Sequence, residues 1–169
     1  MKPDLFWIPG PWRGRLAIAG RPRGGDWLAD EVAGWRRAGM DVVVSLLERD
    51  EAAQLQLDQE GEVAVLDGID FIWFPIPDRG VPGSAPSVLS LSKKIIGALE
   101  EGKNVAVHCR QGIGRSGMIA AAALVSSGTG SEEAIKAVSA ARGVPVPETP
   151  AQVEWLHHLP TERPVSTTP

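Results

Sequence analysis

The chain reads as an α/β protein with a central, mostly parallel sheet and helices on both faces. Three observations carry that expectation. Short apolar runs alternate along the chain with segments of helical period. One run, MDVVVSLLE at 40–48, is continuously apolar and valine-rich, the composition of a strand buried on both faces of a parallel sheet. Another, NVAVH at 104–108, passes through a glycine-rich loop into an alanine-rich stretch, a strand-to-helix transition. With 169 residues and 43% hydrophobic content, the chain has room for one domain with a full core.

Taken in order, residues 1–14 hold Trp7 and Trp12 among prolines and glycines and read as an irregular arm pinned by aromatics. RLAIA at 15–19 is a first strand. GRPRGG at 20–25 is a turn, whose Arg21 and Arg23 suit an exposed basic corner or the flank of a groove. From there Trp27, Leu28, Val32, Trp35 and Ala38 recur at helical spacing, with Asp26 as N-cap and Gly39 as stop. After the 40–48 strand, residues 50–67 are rich in Glu, Gln, Asp and Leu and read as helical scaffold broken near Gly61. IDFIWF at 69–74 is a strand running into PIPDRGVPGSAP, a proline-rich loop that contains Asp78.

A helix from about Ser87 to Glu100 sets Val88, Leu91, Ile95 and Leu99 on one face, and Gly102 ends it. A further helix spans 115–127, and SEEAIKAVSAARG at 131–143 is another, capped by Ser131 and stopped by Gly143. Thr149, Pro150 and Gln152 fit a capping box with proline at the first helical position. His157 and His158 fall near that helix's end, and as neighbours they do not share a face as paired metal ligands should. Residues 159–169 read as a disordered tail.

The formal net charge of -4 argues against a general nucleic-acid binder, so any anion affinity is local. A single cysteine excludes an internal disulfide. The opening MKPDLFWIPGPWRGR lacks the apolar run of a signal peptide, and no segment approaches the ~20 apolar residues of a membrane span. A cytoplasmic monomer without membrane contact is the expectation.

The chemistry concentrates at 108–117, HCRQGIGRSG. A loop between a strand and a helix N-terminus turns backbone N–H groups inward, and the helix dipole adds positive potential, so phosphate is its natural guest. Gly112 and Gly114 let the backbone wrap closely, and Arg115 supplies a planar two-pronged donor. An ordinary surface arginine would oppose the dipole there. Cys109 shares the same field, and cysteines so placed have pKa values of roughly 3.5–7.5, making the thiolate a nucleophile at neutral pH. Taken by themselves, Ser116 suits a helix N-cap and His108 a core histidine.

This stretch resembles the signature of the cysteine-dependent protein tyrosine phosphatases: His-Cys, five residues, then Arg-Ser. The resemblance extends over roughly 15–158, which it implies is the phosphatase domain, with a dual-specificity phosphatase-like fold. It implies that Arg110, Gln111, Gly112, Ile113, Gly114 and Arg115 bind the phosphate, that His108 braces the loop and keeps the thiol ionised, and that Ser116 hydrogen-bonds the sulfur. In this family the leaving oxygen is protonated by an Asp on a proline-bearing loop. Asp78, 31 residues before Cys109, resembles that acid at the spacing of the dual-specificity subclass, and PIPDRGVP looks like its small bacterial and atypical members. Taken alone, Asp78 is better explained by a Pro-Asp-Arg-Gly turn, and the cysteine motif is what favours the acid. Resemblance also gives Gln152 a part in positioning the hydrolytic water, beside the capping-box account.

The expected enzyme is therefore a phosphoric monoester hydrolase with a cysteinyl-phosphate intermediate and no metal or other cofactor. Its expected substrates are phosphotyrosine and also phosphoserine or phosphothreonine in proteins, with a bell-shaped, mildly acidic pH optimum. Phosphoinositide or RNA 5′-phosphate hydrolysis uses the same chemistry, though Gln111 and Ile113 stand where phosphoinositide enzymes tend to carry lysines. A non-catalytic phosphopeptide-binding module is the alternative outside catalysis.

Overall fold

The computed structural model describes residues 2–160. Its centre is a five-stranded sheet in the order β1-β2-β5-β3-β4, built from β1 (Leu5–Ile8), β2 (Leu16–Ala19), β3 (Val42–Ser45), β4 (Asp70–Trp73) and β5 (Val105–His108). β2, β5, β3 and β4 pair in parallel, and β1 runs antiparallel along β2. The mostly parallel sheet is as expected.

Alternation along each strand sends side chains to two separate cores. Val42, Val44, Val105 and Val107 join the larger core, while Val43 and Ala106 join the smaller. Against the larger pack α4 (Ala85–Glu100), α5 (Gly114–Ser126), α6 (Ser131–Arg142) and α7 (Pro150–His157). Against the smaller pack α1 (Leu28–Arg37) and α3 (Glu60–Leu66), with α2 (Arg49–Gln54) beside them. β3 and β5 are buried at every position, and each buried valine contributes about 1.5–3 kcal/mol relative to exposure. α5 lies deepest, with every residue from Gly114 to Val125 buried; its alanine run allows β5, α4 and α6 to close around it.

Several boundaries differ from the sequence reading. The expected irregular arm contains β1, whose register Leu5↔Ala19 to Ile8↔Leu16 makes it part of the sheet. Its tryptophans do pin it: Trp12 Nε1 donates to Ser127 Oγ at 3.0 Å, and Arg15 lies over Trp7. Asp26 does not cap α1, because a 3-10 turn at Gly25–Trp27 absorbs it. The helical scaffold breaks between Gln54 and Glu60, where Leu57 drops into the core. Gly61 lies inside α3, where a Cβ would come within 2.8 Å of Phe71. α4 begins at Ala85, because Ser84 accepts from the Ser87 N–H. Ser131 is the first residue of α6 rather than its cap, and its hydroxyl meets His157 Nδ1 at 2.7 Å. Leu159 is buried in the larger core, so it is not tail, and residues 161–169 lie outside the described residues. Arg23 forms an ion pair with Glu31 and lies over Trp27, at a basic corner. Among the described residues no helix is long and apolar enough to cross a membrane.

Candidate active site

Because β5 lies between β2 and β3, its C-terminal end opens at the middle of the sheet's carboxyl edge, where α/β folds place ligands. Cys109 is the first residue beyond that strand. Its sulfur is 3.3 Å from the Gly112 N–H and 3.2 Å from Ser116 Oγ. Gly112 has φ +71°, a left-handed conformation in which a glycine carries no Cβ penalty, and this turns its amide onto the sulfur. A planar trans peptide then points the Gln111 carbonyl the other way. Arg142, from the end of α6, takes up those outward carbonyls: Nε donates to Gly112 O at 2.8 Å and Nη2 to Gln111 O at 3.4 Å. Its guanidinium lies over Phe6 of β1.

α5 starts at Gly114, so Arg115 and Ser116 sit in its first turn, with its positive pole at the loop. Ser116 does not serve as N-cap, a position held by Ile113; its hydroxyl faces the sulfur. Arg110 and Gln111 are exposed on the rim, and Ile113 is half-buried.

The Arg115 side chain is 2% exposed. Nη1 donates to Ile76 O at 2.9 Å, to Glu51 at 2.9 and 3.1 Å, and more weakly to Leu46 O at 3.4 Å. Nη2 has Asp78 Oδ1 at 3.3 Å as an ion-pair partner, but without hydrogen-bond alignment it remains a buried donor with no hydrogen-bond partner. One edge of the fork is thus fixed and the other is left for an incoming oxygen. In the sequence Glu51 is one carboxylate among many in the acidic 50–67 scaffold stretch, and nothing there marks it out.

His108 is sealed from solvent, and its Nε2 meets Glu60 Oε1 at 2.5 Å, with Glu60 itself 2% exposed. Nδ1 lies 3.3 Å from the Cys109 carbonyl, and the Trp35 ring packs beside the imidazole at 5.8 Å. Glu60 belongs to the same acidic stretch and is equally unmarked in the sequence.

Asp78 lies in the β4–α4 loop, exposed at the mouth of the site, in a turn closed by the Gly80 N–H on Pro77 O at 2.9 Å. The capping box at α7 is formed: Thr149 Oγ1 accepts from Gln152 N, and Gln152 Oε1 accepts from Thr149 N. Gln152 is fully buried, and its Nε2 donates to Gly80 O at 3.0 Å, which joins α7 to the Asp78 loop. The candidate residues Cys109, Arg115, Ser116, His108, Asp78 and Gln152 therefore share one junction, together with Glu51, Glu60 and Arg142. Among the described residues no group of three or more His, Cys, Asp or Glu side chains is placed to hold a metal ion. The arrangement is that of an oxyanion cradle with a sulfur at its floor and a carboxyl at its mouth.

Comparison with known proteins agrees with this geometry. Residues 17–129 match the family model described as polymorphic toxin system, DSP-PTPase phosphatase. A protein of Invertebrate iridescent virus 6 that carries the name tyrosine phosphatase 197R is 37% identical over 93 residues, 53% of this chain and 34% of that protein. The match thus spans about a third of the viral protein's length. A crystal structure of Tk-PTP in its active form is 32% identical with a TM-score of 0.76, covering 94% of this chain and 97% of that one. The kinase associated phosphatase KAP, with its catalytic-site cysteine changed to serine, shares the fold at a TM-score of 0.85 and 20% identity, over 93% of both chains.

Proposed function

Because the chain belongs to the DSP-PTPase phosphatase family of polymorphic toxin systems, we propose that it hydrolyses phosphoric monoesters through a cysteinyl-phosphate intermediate. The observation that carries this reading is the Nη2 of Arg115, buried without a hydrogen-bond partner, with the Cys109 loop on one side and Asp78 on the other. A phosphoryl group supplies the oxygen that donor lacks. Its remaining equatorial oxygens meet the loop amides, while the sulfur stands in line with phosphorus.

In the first step the Cys109 thiolate attacks phosphorus. The S–P bond forms, the P–O ester bond breaks, and Asp78 gives its proton to the departing oxygen. In the second step water attacks the cysteinyl-phosphate, Asp78 takes back a proton, and inorganic phosphate leaves. Ser116 Oγ, at 3.2 Å from the sulfur, donates to the thiolate as it departs. Glu51 holds the Arg115 fork in plane. His108 anchors the first peptide of the loop, and Glu60 holds His108.

The substrate we assign is a phosphorylated protein, with phosphotyrosine and also phosphoserine or phosphothreonine accepted. An exposed Asp78 and the exposed rim residues Arg110 and Gln111 suit a shallow site that a short phosphorylated side chain can reach. The same reading has the enzyme act as a monomer without nucleic acid or membrane, in keeping with a net charge of -4. A cytoplasmic setting suits a chain whose single cysteine must stay reduced to work.

The test is hydrolysis of 4-nitrophenyl phosphate, with chelator present, by the wild type, Cys109→Ser and Asp78→Asn. Turnover by the wild type, none by Cys109→Ser and a loss of roughly 10²–10⁴-fold in Asp78→Asn are expected. A wild type that binds vanadate without turnover would instead make this a phosphopeptide-binding module. Given turnover, a panel of phosphopeptides, phosphoinositides and RNA 5′-phosphates decides the substrate class.

A further inference from the structure

Gln152 is placed to act on the acid rather than on water. Its amide orientation follows from its neighbours. Oε1 is approached by two backbone N–H groups, Glu148 N at 3.1 Å and Thr149 N at 3.2 Å, while Nε2 faces the Gly80 carbonyl at 3.0 Å. An amide oxygen has two lone pairs, and both are taken. Gln152 therefore has no acceptor left with which to orient an attacking water. What its free end does hold is Gly80, two residues beyond Asp78.

The same junction carries a second tether. Arg79, between Asp78 and Gly80, has φ +58°, an uncommon conformation for a residue with a side chain, which persists only where surrounding contacts hold it. Its Nη1 reaches Glu148 Oε1 at 2.8 Å. Glu148 and Gln152 in turn rest on the phosphate loop. A Cβ at Gly114 would lie 3.1 Å from Glu148 Oε2 and 3.2 Å from Gln152 Oε1, so this segment sits tightly against the residue before Arg115. Asp78 itself has Arg115 as its side-chain partner, at a distance without hydrogen-bond alignment. Its position is inherited from the residues that follow it.

From this we infer that Gln152, assisted by the Arg79–Glu148 pair, is a positioning residue for Asp78, locking the acid loop to the phosphate loop for the step that breaks the ester bond. The inference rests on the proposed cysteinyl-phosphate chemistry with Asp78 as acid. It assigns Gln152 to proton delivery instead of water activation, and the two roles fall on different kinetic constants. With an aryl phosphate, kcat/KM reports events up to ester cleavage, whereas the attack of water on the cysteinyl-phosphate enters only kcat.

The decisive variant is Gln152→Glu. A glutamate at this position keeps the capping box on the Glu148 and Thr149 amides but removes the donor to Gly80. Gln152→Ala, which also loses the cap, is its companion, and thermal melting checks the fold of both. The measurement is kcat and kcat/KM for phenyl phosphate, a poor leaving group, and 4-nitrophenyl phosphate, a good one. Both constants are also taken for Asp78→Asn and for the Asp78→Asn/Gln152→Glu double variant.

For Gln152→Glu, kcat/KM should fall about tenfold on phenyl phosphate and less than threefold on 4-nitrophenyl phosphate, a part of the general-acid contribution. The double variant should be no worse than Asp78→Asn. Arg79→Glu and Glu148→Arg should each lower kcat/KM on phenyl phosphate about threefold, and combining them should restore it. A Gln152→Glu enzyme that keeps kcat/KM on both substrates while kcat falls would overturn the inference, as would losses that multiply with Asp78→Asn. If the wild type is inactive, or Asp78→Asn is unaffected, the acid assignment itself falls and takes this inference with it. That failure is read from the wild type and Asp78→Asn alone.

Discussion

Glu60 Oε1 lies 2.5 Å from His108 Nε2, and both side chains are sealed from solvent. One contact thus fixes the imidazole whose other nitrogen faces the Cys109 carbonyl. A helix on one face of the sheet is tied in this way to the loop that emerges on the other.

Removing one partner of a buried pair strands the other. Glu60→Ala should lower the unfolding free energy by about 3–5 kcal/mol, read from urea denaturation. Glu60→Gln, which can still accept from the imidazole N–H, should lose less than half as much. Equal losses for the two would mean that packing of the side chain, and not the hydrogen bond, is what matters.

How far this site can be read in the sequence depends on how its residues are distributed. Cys109 to Ser116 are contiguous, so backbone geometry alone brings amides, thiol and guanidinium together, and the motif shows it. Asp78 stands out because prolines and glycines frame it. Glu51 and Glu60 do not, since they sit among Glu48, Asp50, Asp58 and Glu62 in one acidic stretch. Their partners lie far along the chain, 64 residues away for Glu51 and 48 for Glu60. Only the sheet order, which sets β3 next to β5, brings α2 and α3 under the loop. β1 was hidden for a similar reason: four residues ending before Pro9 carry little period of their own, and pairing with β2 makes the strand.

Glu51 makes its own prediction. It holds Nη1 of Arg115 by two contacts, at 2.9 and 3.1 Å, and so sets the direction of Nη2. Glu51→Ala leaves the guanidinium charged but anchored only by the Ile76 and Leu46 carbonyls. Misplacement by about 1 Å costs about 10²-fold, so kcat/KM on 4-nitrophenyl phosphate should fall roughly 10–100-fold. Arg115→Lys, which lacks the fork, should lose roughly 10²–10³-fold. A Glu51→Ala enzyme with wild-type kinetics would show that the carbonyls alone orient Arg115.

Gly112 separates space from conformation. A Cβ there would meet its nearest atoms at 3.5 Å, ordinary contact, yet φ is +71°. Gly112→Ala should therefore fold, at a cost of about 1–2 kcal/mol and a Tm lower by about 2–8 °C. Relaxation of the strain rotates the amide away from the sulfur, and the lost oxyanion donor should lower kcat by roughly 10²-fold. Full activity in a destabilised Gly112→Ala would place this amide outside the oxyanion cradle.

The first step of the proposed chemistry demands opposite protonation states of its two groups, and this sets the pH dependence. Attack needs Cys109 as thiolate, so the rate climbs as pH rises and the thiol loses its proton. Departure needs Asp78 as the acid, so the rate falls as that proton is lost at higher pH. The product of the two is a bell. Asp78→Asn removes the group responsible for the falling limb, and its profile on 4-nitrophenyl phosphate between pH 4 and 9 should climb to a low plateau and stay there. Glu51→Gln, which alters the fork but neither proton, should lower the whole bell without changing its shape. A falling limb that survives in Asp78→Asn would place the acid outside the 75–86 loop, in which Asp78 is the only carboxyl group.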